Sequence, residues 1–387
     1  MIMKILIVGG GASALICANI IKEYDEQSEV LIIEQNDKLG KKLKLTGNGK
    51  CNIAPALDDI HAYNNPEFVS NLFSDVPFTN YLQTLEDLGI PTKTIKNQGY
   101  YPLSENAPNV VRILENNLLN KGVKILNGEV VDYLDNLEII LKDGSHIKAD
   151  KVIFATGGKS YAKSGSNGAV FEILRKHGYQ INELKPSLCP IKVKENIKSL
   201  FGARAHAILK LLQNDKVVYQ EDGEVMFKKD AISGIAAMNA SSYIVHHPGK
   251  YKIVINFLSD NFTDSFVINK NISSIDALLS YVSYPIADYI SRRFNIPQND
   301  PFIKHASKIK EILSNLSFEY DSLYDFESAQ ITAGGIDLKQ IGEGFSSKKE
   351  KNVYFVGEML DIDGLCGGYN LRFALSSAIA CAEYITK

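Results

Sequence analysis

A glycine turn between a strand and a helix, within the first 35 residues, constrains the fold more than any other feature. Lys4 to Val8 predicts a strand rich in Ile and Val, Gly9-Gly10-Gly11 a tight turn, and Ala12 to Tyr24 a helix of mainly small and aliphatic residues. Val30 to Ile33 predicts a second strand, which Glu34 ends. Strand, turn, helix and strand in this order form a right-handed βαβ unit, so the chain is predicted to be an α/β protein.

The spacing within this turn fits a nucleotide. In the pattern Gly9-x-Gly11-x-x-Ala14, the first glycine permits the turn, the second lets the backbone approach a pyrophosphate, and Ala14 keeps the helix close to the sheet. Glu34 stands where a carboxylate can accept hydrogen bonds from ribose hydroxyls. An acid there repels a 2′-phosphate, so the pattern predicts FAD or NAD rather than NADP.

Two further strands distinguish between these two nucleotides. Lys151 to Gly158 (KVIFATGG) and Val353 to Glu358 (VYFVGE) each predict a buried strand that runs into glycine. Together with the N-terminal turn they resemble the glutathione-reductase-type FAD fold, in which the second pattern places an acid on the ribityl chain. The sequence contains one complete nucleotide fingerprint. We therefore expect one tightly bound FAD, and only transient binding of any NAD(P)H.

Longer segments make the resemblance closer. They are LTGNGKCN (45–52), ATGGKSYAKSGSNG (155–168), GEVMFKKDAISG (223–234), TAGG (332–335) and GEMLDIDGLCGGYNL (357–371). In this order they resemble the YhiN-type flavoprotein family of NAD(P)/FAD-dependent oxidoreductases, which includes aminoacetone oxidase and the BaiN bile-acid reductase. The resemblance runs from about Met3 to Tyr384. The chain departs from the family at Lys50, where Arg is usual, and at Ala162 and Ile235, where Pro is usual.

The patterns and the resemblance predict the same organisation. We expect an α/β fold whose Rossmann-like FAD-binding domain, of glutathione-reductase type, is discontinuous and comprises residues 1–185 and 330–387. Alternating polar and apolar residues predict an inserted antiparallel β domain at 186–260 and 317–329, which the resemblance makes barrel-like. Turns are predicted there at Asn214-Asp215 and Asp222-Gly223. Helical patterns predict a small helical subdomain at 261–316.

The resemblance also implies which residues contact FAD. Gly9, Gly11 and Ala14 would hold the pyrophosphate, and Glu34 the adenosine ribose. Lys42 and 46–51 would lie along the cofactor, 156–157 by the adenine, Glu358 and Asp361 by the ribityl–phosphate region, and 367–371 at the flavin pyrimidine edge. In chain order the implied set is Gly9, Gly11, Ala12, Ser13, Ala14, Glu34, Lys42, Thr46, Gly47, Gly49, Lys50, Cys51, Val130, Thr156, Gly157, Gly158, Gly357, Glu358, Asp361, Gly367, Gly368, Tyr369, Asn370 and Leu371.

The C-terminal glycine turn has an independent physical reason to face a flavin. Reduction of a flavin places negative charge near N1 and the C2 carbonyl. A glycine-rich turn that opens a helix at Asn370 directs backbone N–H groups at such charge. Asn370 could also be the N-cap of that helix beside a glycine hinge, and the two interpretations are compatible.

Two residue-level alternatives stay open in the sequence. Cys51 could be a redox-active thiol near the flavin, or a packed contact without a partner thiol. His206 lies on an alternating strand and could face a substrate cavity or solvent. No recognisable acid–base constellation stands in the insertion, so the sequence assigns no catalytic residue.

Composition narrows the class of partner. The chain has 387 residues with a formal net charge of −3, and six of its 42 basic residues are Arg, so no concentrated basic face for nucleic acid is expected. Five cysteines without metal or redox spacing predict no metal site and a cytoplasmic protein. No apolar run reaches the roughly 18 residues that span a bilayer, so no membrane partner is expected.

The sequence thus predicts an FAD-dependent oxidoreductase that transfers a hydride between a small organic substrate and FAD, with NAD(P)H as one candidate donor. Within the resembling family the alternative is a flavin-dependent amine oxidase of the aminoacetone type, which returns electrons to oxygen. A flavoprotein that acts on RNA is a third hypothesis, which the low basic content disfavours. The sequence predicts no oligomeric state.

The purified protein should be yellow, and denaturation should release FAD rather than FMN. Gly11→Asp should abolish FAD retention, because the new side chain places bulk and negative charge against the pyrophosphate. The flavin released per mole of protein, measured by absorbance and chromatography, checks both expectations. A normal FAD content in Gly11→Asp would refute the pyrophosphate site.

Overall fold

A computed structural model describes residues 2–95, 98–258 and 272–387 of the chain. It divides into two compact units, one of Met1–Lys185 with Ile331–Lys387 and one of Pro186–Gln330. The predicted boundary at residues 260/261 lies outside the described residues. The predicted division of the insertion into a β domain and a helical subdomain stays a prediction.

The regular elements of the described residues alternate between strands and helices in the N-terminal part. The strands are β1 (Lys4–Val8), β2 (Glu29–Glu34), β3 (Thr92–Ile95), β4 (Gly99–Pro102), β5 (Lys124–Asn127), β6 (Val130–Leu134), β7 (Glu138–Leu141), β8 (His146–Lys148), β9 (Lys151–Phe154), β10 (Lys185–Ser187), β11 (Ile191–Val193), β12 (Arg204–Gln213), β13 (Lys216–Phe227), β14 (Ala231–Ser233), β15 (Lys252–Asn256), β16 (Leu316–Leu323), β17 (Ile331–Ala333) and β18 (Val353–Phe355). The helices are α1 (Ala12–Tyr24), α2 (Pro66–Asp75), α3 (Phe78–Asp87), α4 (Ala107–Asn120), α5 (Ala169–Lys176), α6 (Ile235–His246), α7 (Ser274–Leu279), α8 (Tyr284–Arg293), α9 (Ala306–Ser314) and α10 (Tyr369–Thr386).

A parallel sheet organises the first unit. Its strand order is β18-β9-β1-β2-β5, and every adjacent pair is parallel. Val8, the last residue of β1, pairs with Ile33 on one side and with Phe154 on the other. The carboxyl ends of these strands therefore meet at one edge, as expected of a Rossmann-type sheet. This confirms the predicted fold class.

Helices α1 and α10 pack side by side in the core of the first unit. Most α1 residues are buried, as are most residues of α10. Ser13 donates to the backbone oxygen of Ala374 at 3.1 Å, and the Cys17 and Cys381 side chains contact each other. The contact nearer the start of α1 is also the one nearer the start of α10. The two helices are therefore parallel and begin at the same end of the unit. Of the helices in the described ranges, none has the length and apolar character needed to cross a membrane.

The second unit is built on a closed antiparallel barrel. Its strand order is β11-β14-β13-β12-β15-β16, and β16 pairs back with β11. The helices of this unit share the barrel's apolar core, in which Ile290 of α8 and Leu313 of α9 are buried with Phe318 of β16. The predicted inserted antiparallel β domain is thus present.

One predicted turn in this barrel is correct and the other is wrong. Asn214 and Asp215 have φ of +51° and +58° and join β12 to β13 in a tight hairpin. Asp222 and Gly223, in contrast, lie within β13 and pair with β12. A Cβ on Gly223 would lie 3.6 Å from the Cβ of Ala236, which is an ordinary contact, so this strand position does not require glycine.

His206 faces solvent rather than a cavity. Its side chain is 76% exposed and its Nε2 lies 3.0 Å from Asp222 Oδ1 on the neighbouring strand. A cross-strand pair of this exposure is a surface ion pair of small energetic effect. The alternative in which His206 faces a substrate cavity is therefore wrong.

Alanine substitutions at two glycines of the second unit should lower the free energy of unfolding by different amounts. Gly234 has φ +91° and a Cβ there would lie 2.2 Å from Glu224 O, whereas Gly202 has φ +83° with no atom within 4 Å of its would-be Cβ. Gly202→Ala should lower the free energy of unfolding by about 1 kcal/mol through backbone strain alone. Gly234→Ala should cost roughly 3 kcal/mol or more, because a backbone atom must move. Equal effects in denaturant titrations would contradict this steric argument.

Candidate flavin-binding site

The glycine turn after β1 is held by two backbone donors. Gly9 N donates to Ile33 O at 2.8 Å, and Gly10 N donates to Glu34 Oε2 at 2.7 Å. Gly9 has φ +100°, and a Cβ there would lie 2.6 Å from Ala155 O. Only glycine fits at this position, because both the conformation and the neighbouring backbone exclude a side chain.

Gly11 differs, because the protein itself does not require glycine there. Its φ of −79° and ψ of −170° suit any residue. An added Cβ would meet only Ala155 O, at 3.9 Å, which is an ordinary contact. A side chain at this position would therefore fill space rather than clash with the fold. A ligand that approaches the backbone closely supplies the missing reason for glycine, and a dinucleotide pyrophosphate fits this cradle.

Two helix N-termini open at this end of the first unit. Gly11 is the N-cap of α1 and Gly368, with φ +102°, is the N-cap of α10. Neither N-terminus receives a side-chain cap from the described residues. Each therefore carries the positive end of a helix dipole, which favours an anionic or electron-rich ligand.

Glu34 has structural partners besides any ribose. Its Oε2 accepts from Gly10 N, and its Oε1 accepts from Asn36 N at 2.8 Å and Asn36 Nδ2 at 2.7 Å. The carboxylate thus fixes the glycine turn from the end of β2. Each carboxylate oxygen has two lone pairs, so ribose binding by Glu34 stays a compatible prediction.

A buried polar network crosses the carboxyl edge of the sheet around Glu358. Lys42 Nζ lies 2.8 Å from Glu358 Oε2, while Ser160 Oγ and Thr332 N donate to Oε1 at 3.1 Å and 2.9 Å. A Cβ on Gly158 would lie 2.5 Å from Thr332 Oγ1. Glycine at 158 therefore makes room for this network, and Glu358 already neutralises the charge of Lys42.

Sequence reasoning missed Thr332 and Ser160 as parts of this network. Thr332 Oγ1 accepts from the backbone N–H groups of Lys159 and Ser160, at 2.8 Å and 3.0 Å. Both residues lie in segments that carried the family resemblance, TAGG and ATGGKSYAKSGSNG. That shared membership was the available signal, but it did not show that the two segments meet.

The loop at 46–51 is shaped by left-handed residues. Gly47, Gly49 and Cys51 have φ of +57°, +83° and +64°. Lys50 is half-exposed and pairs with Glu105 at 3.0 Å, so its charge is also balanced within the protein. Thr46 turns its hydroxyl to Leu43 O at 2.7 Å. FAD contact by this loop stays a prediction.

The other implied residues near the sheet edge have varied partners. Thr156 donates from N and Oγ1 to the sulfur of Met359, at 3.4 Å and 3.3 Å. Asp361 Oδ2 accepts from Asn182 Nδ2 at 2.6 Å. Val130 is buried at the start of β6. All belong to the first unit, and their roles toward FAD stay predictions.

Asn370 shapes the C-terminal glycine turn without capping the helix. Its Oδ1 accepts from Gly364 N at 2.9 Å and its Nδ2 donates to Gly364 O at 2.8 Å. The alternative in which Asn370 is the N-cap is wrong, because Gly368 holds that position. The side chain of Asn370 is thus turned to Gly364 and does not cap α10.

Comparison with known proteins places the chain in a family. The profile of the HI0933-like protein Rossmann domain family matches residues 3–384. The chain belongs to this family. It is 29% identical to a 3-dehydro-bile acid delta(4,6)-reductase of Clostridium scindens, over 96% of both chains. It is 25% identical to a ribosomal RNA dihydrouridine synthase of Haemophilus influenzae, over 99% of this chain and 98% of the relative.

A solved structure supports the fold at lower identity. The 3-ketosteroid delta1-dehydrogenase of Sterolibacterium denitrificans superposes with a TM-score of 0.50 at 9% sequence identity, over 99% of both chains. The family membership predicted from the sequence is confirmed.

Cys51 gives a prediction about reactivity. Its side chain is 1% exposed, and burial raises the pKa of its thiol to about 11. Native protein at pH 8 should therefore resist iodoacetamide at Cys51 while the partly exposed Cys366 reacts, as peptide mass mapping would show. The folded state favours the protonated thiol. The contribution of Cys51 to the free energy of unfolding should therefore fall as pH rises from about 9 to about 11. Rapid native labelling of Cys51 would instead support a redox role.

Proposed function

We propose that the first unit binds one FAD and uses it to reduce a carbon–carbon double bond conjugated with a carbonyl group. The cofactor assignment rests on Gly11. Neither its backbone conformation nor the protein atoms around it require glycine at this position. It stands at one of two parallel, uncapped helix N-termini that open at the same end of the unit. This arrangement suits an elongated ligand with a pyrophosphate and an electron-rich ring.

The chain's own residues would bind and orient this cofactor. The turn at Gly9–Gly11 and the start of α1 would hold the pyrophosphate through backbone N–H groups. The start of α10 would place further N–H groups at the ring edge where charge develops. FAD, when bound, supplies the hydride chemistry. Because Lys42 is paired with Glu358, the helix ends would supply the positive potential toward the phosphates.

The names of the relatives favour this reaction class. A 3-dehydro-bile acid with delta(4,6) unsaturation carries double bonds conjugated with its 3-oxo group, and its reductase saturates them. Dihydrouridine differs from uridine by saturation of a ring double bond conjugated with a carbonyl. Both names therefore describe the same addition of a hydride and a proton. We propose a small conjugated carbonyl compound as the substrate and NAD(P)H as a transiently bound donor.

Uracil within RNA is a second candidate, favoured by a surface of the second unit that we call the lysine–aromatic surface. It comprises Lys192 and Lys228 over the ring of Tyr324, at 5.0 Å and 5.4 Å, and Lys229 over Phe201 at 5.9 Å. Phe201 is 62% exposed. Lysines bind phosphates and exposed rings stack on unpaired bases, so the surface suits single-stranded RNA.

Anaerobic reduction of the holoprotein tests the proposal. NADH or NADPH should bleach the flavin absorbance, and a 3-oxo-4,6-diene steroid should restore it with formation of the saturated product. If neither nucleotide bleaches the flavin, and an amine substrate does so, the oxidase hypothesis replaces this one.

The RNA candidate is tested in the same reaction with unmodified ribosomal RNA. Mass spectrometry of digested RNA would detect dihydrouridine if RNA is the substrate. In that case Phe201→Ala with Lys229→Gln should reduce RNA turnover at least about tenfold. Lys250→Gln, an exposed lysine of the same unit, is the matched control and should not. Turnover of the steroid and not of RNA would exclude the second candidate.

A further inference from the structure

Arg372, four residues after the N-cap of α10, is a buried cation. Its side chain is fully buried, and its backbone N donates to Gly368 O at 3.0 Å, within the first turn of the helix. Positive charge at a helix N-terminus opposes the helix dipole. Burial adds a desolvation cost. The position therefore calls for an explanation beyond helix stability.

The guanidinium is fixed on all sides. Its Nε and Nη2 lie 3.3 Å and 3.1 Å from Asp58 Oδ1 and Oδ2, and Nη2 also donates to Val76 O at 2.9 Å. Its carbon lies 4.0 Å from the ring centroid of Phe73 and 4.4 Å from that of Tyr81. These contacts fix the position of the positive charge of Arg372, and therefore the direction of its electric field.

The Arg372–Asp58 pair is linked to the C-terminal glycine turn through Tyr63. Tyr63, whose hydroxyl donates to Tyr369 O at 2.8 Å, is close enough to both charges for each to act on it. Leu365 N donates to Ala62 O at 3.0 Å. Arg372 Nη1 also donates to Ser376 Oγ, one turn further along α10.

The two partners differ in their access to water. The Arg372 side chain is fully buried, whereas that of Asp58 is 22% exposed. Solvent screens the carboxylate more than the guanidinium. The two charges act with opposite signs on the start of α10, where the proposed function places the flavin ring edge.

We propose that the Arg372–Asp58 pair tunes the electron affinity of the bound flavin, with Arg372 favouring its reduced form and Asp58 limiting that effect. This inference rests on the proposed FAD site. Both are positioning residues, since they act through the N-terminus of α10 rather than by touching the substrate.

Opposite charge changes give opposite expected shifts in the midpoint potential of bound FAD, measured by dye-coupled anaerobic reduction. Arg372→Gln should weaken binding of reduced relative to oxidised FAD by about tenfold, a fall of about 30 mV for two electrons. Asp58→Asn should strengthen it by about threefold, with a rise in potential. The double variant should return toward wild type, and Arg372→Lys should retain most of the wild-type potential.

A purely structural role would instead loosen the turn in both single variants and move the potential in the same direction. Such parallel shifts, or no shift in Asp58→Asn, would overturn the proposal. If Arg372→Gln fails to retain FAD, the test rests on Asp58→Asn alone. A rise in its midpoint potential would support the proposal, and a fall would overturn it. The exposed pair Lys121–Glu23 is the matched control, and Glu23→Gln should leave the potential unchanged. A wild-type protein free of FAD would refute the underlying cofactor site, which the release assay detects separately.

Discussion

The contact between Gly9 and Ala155 is the constraint on which the first unit depends. The backbone of the first turn rests on the end of β9 so closely that a Cβ would lie 2.6 Å from a carbonyl oxygen. This contact fixes the turn where β1, β2 and β9 all end. Glu34, the strand end at 155–158 and Glu358 consequently converge on one edge, and the helix that follows the turn begins there.

Electrostatics at this edge come from the backbone rather than from free cations. Lys42 is paired with Glu358, and Lys50 with Glu105. The uncapped starts of α1 and α10 supply the remaining positive potential. A near-neutral chain can therefore offer a phosphate site.

The elements that sequence predicted well are those whose local pattern agrees with their tertiary role. The bounds of β1 and α1 are those expected, because apolar residues, glycines and a small-residue helix all specify one βαβ unit. Asp222-Gly223 failed as a turn because both residues pair with β12 within the long strand β13. Asn370 failed as a cap because its amide binds Gly364 instead. In both cases the conformation of a residue typical of turns is set by hydrogen bonds to a residue outside its local sequence.

The sequence by itself determined the βαβ unit, the order of the glycine segments and the family they indicate, because these depend on local spacing. Only the tertiary structure decided which of those segments meet. Thr332, Ser160, Lys42 and Glu358 are far apart in the chain and form one network, and Asp58 pairs with Arg372 across 314 positions. Local pattern carries no record of such partners, since a buried ion pair or hydrogen bond is specified by three-dimensional proximity and the exclusion of water.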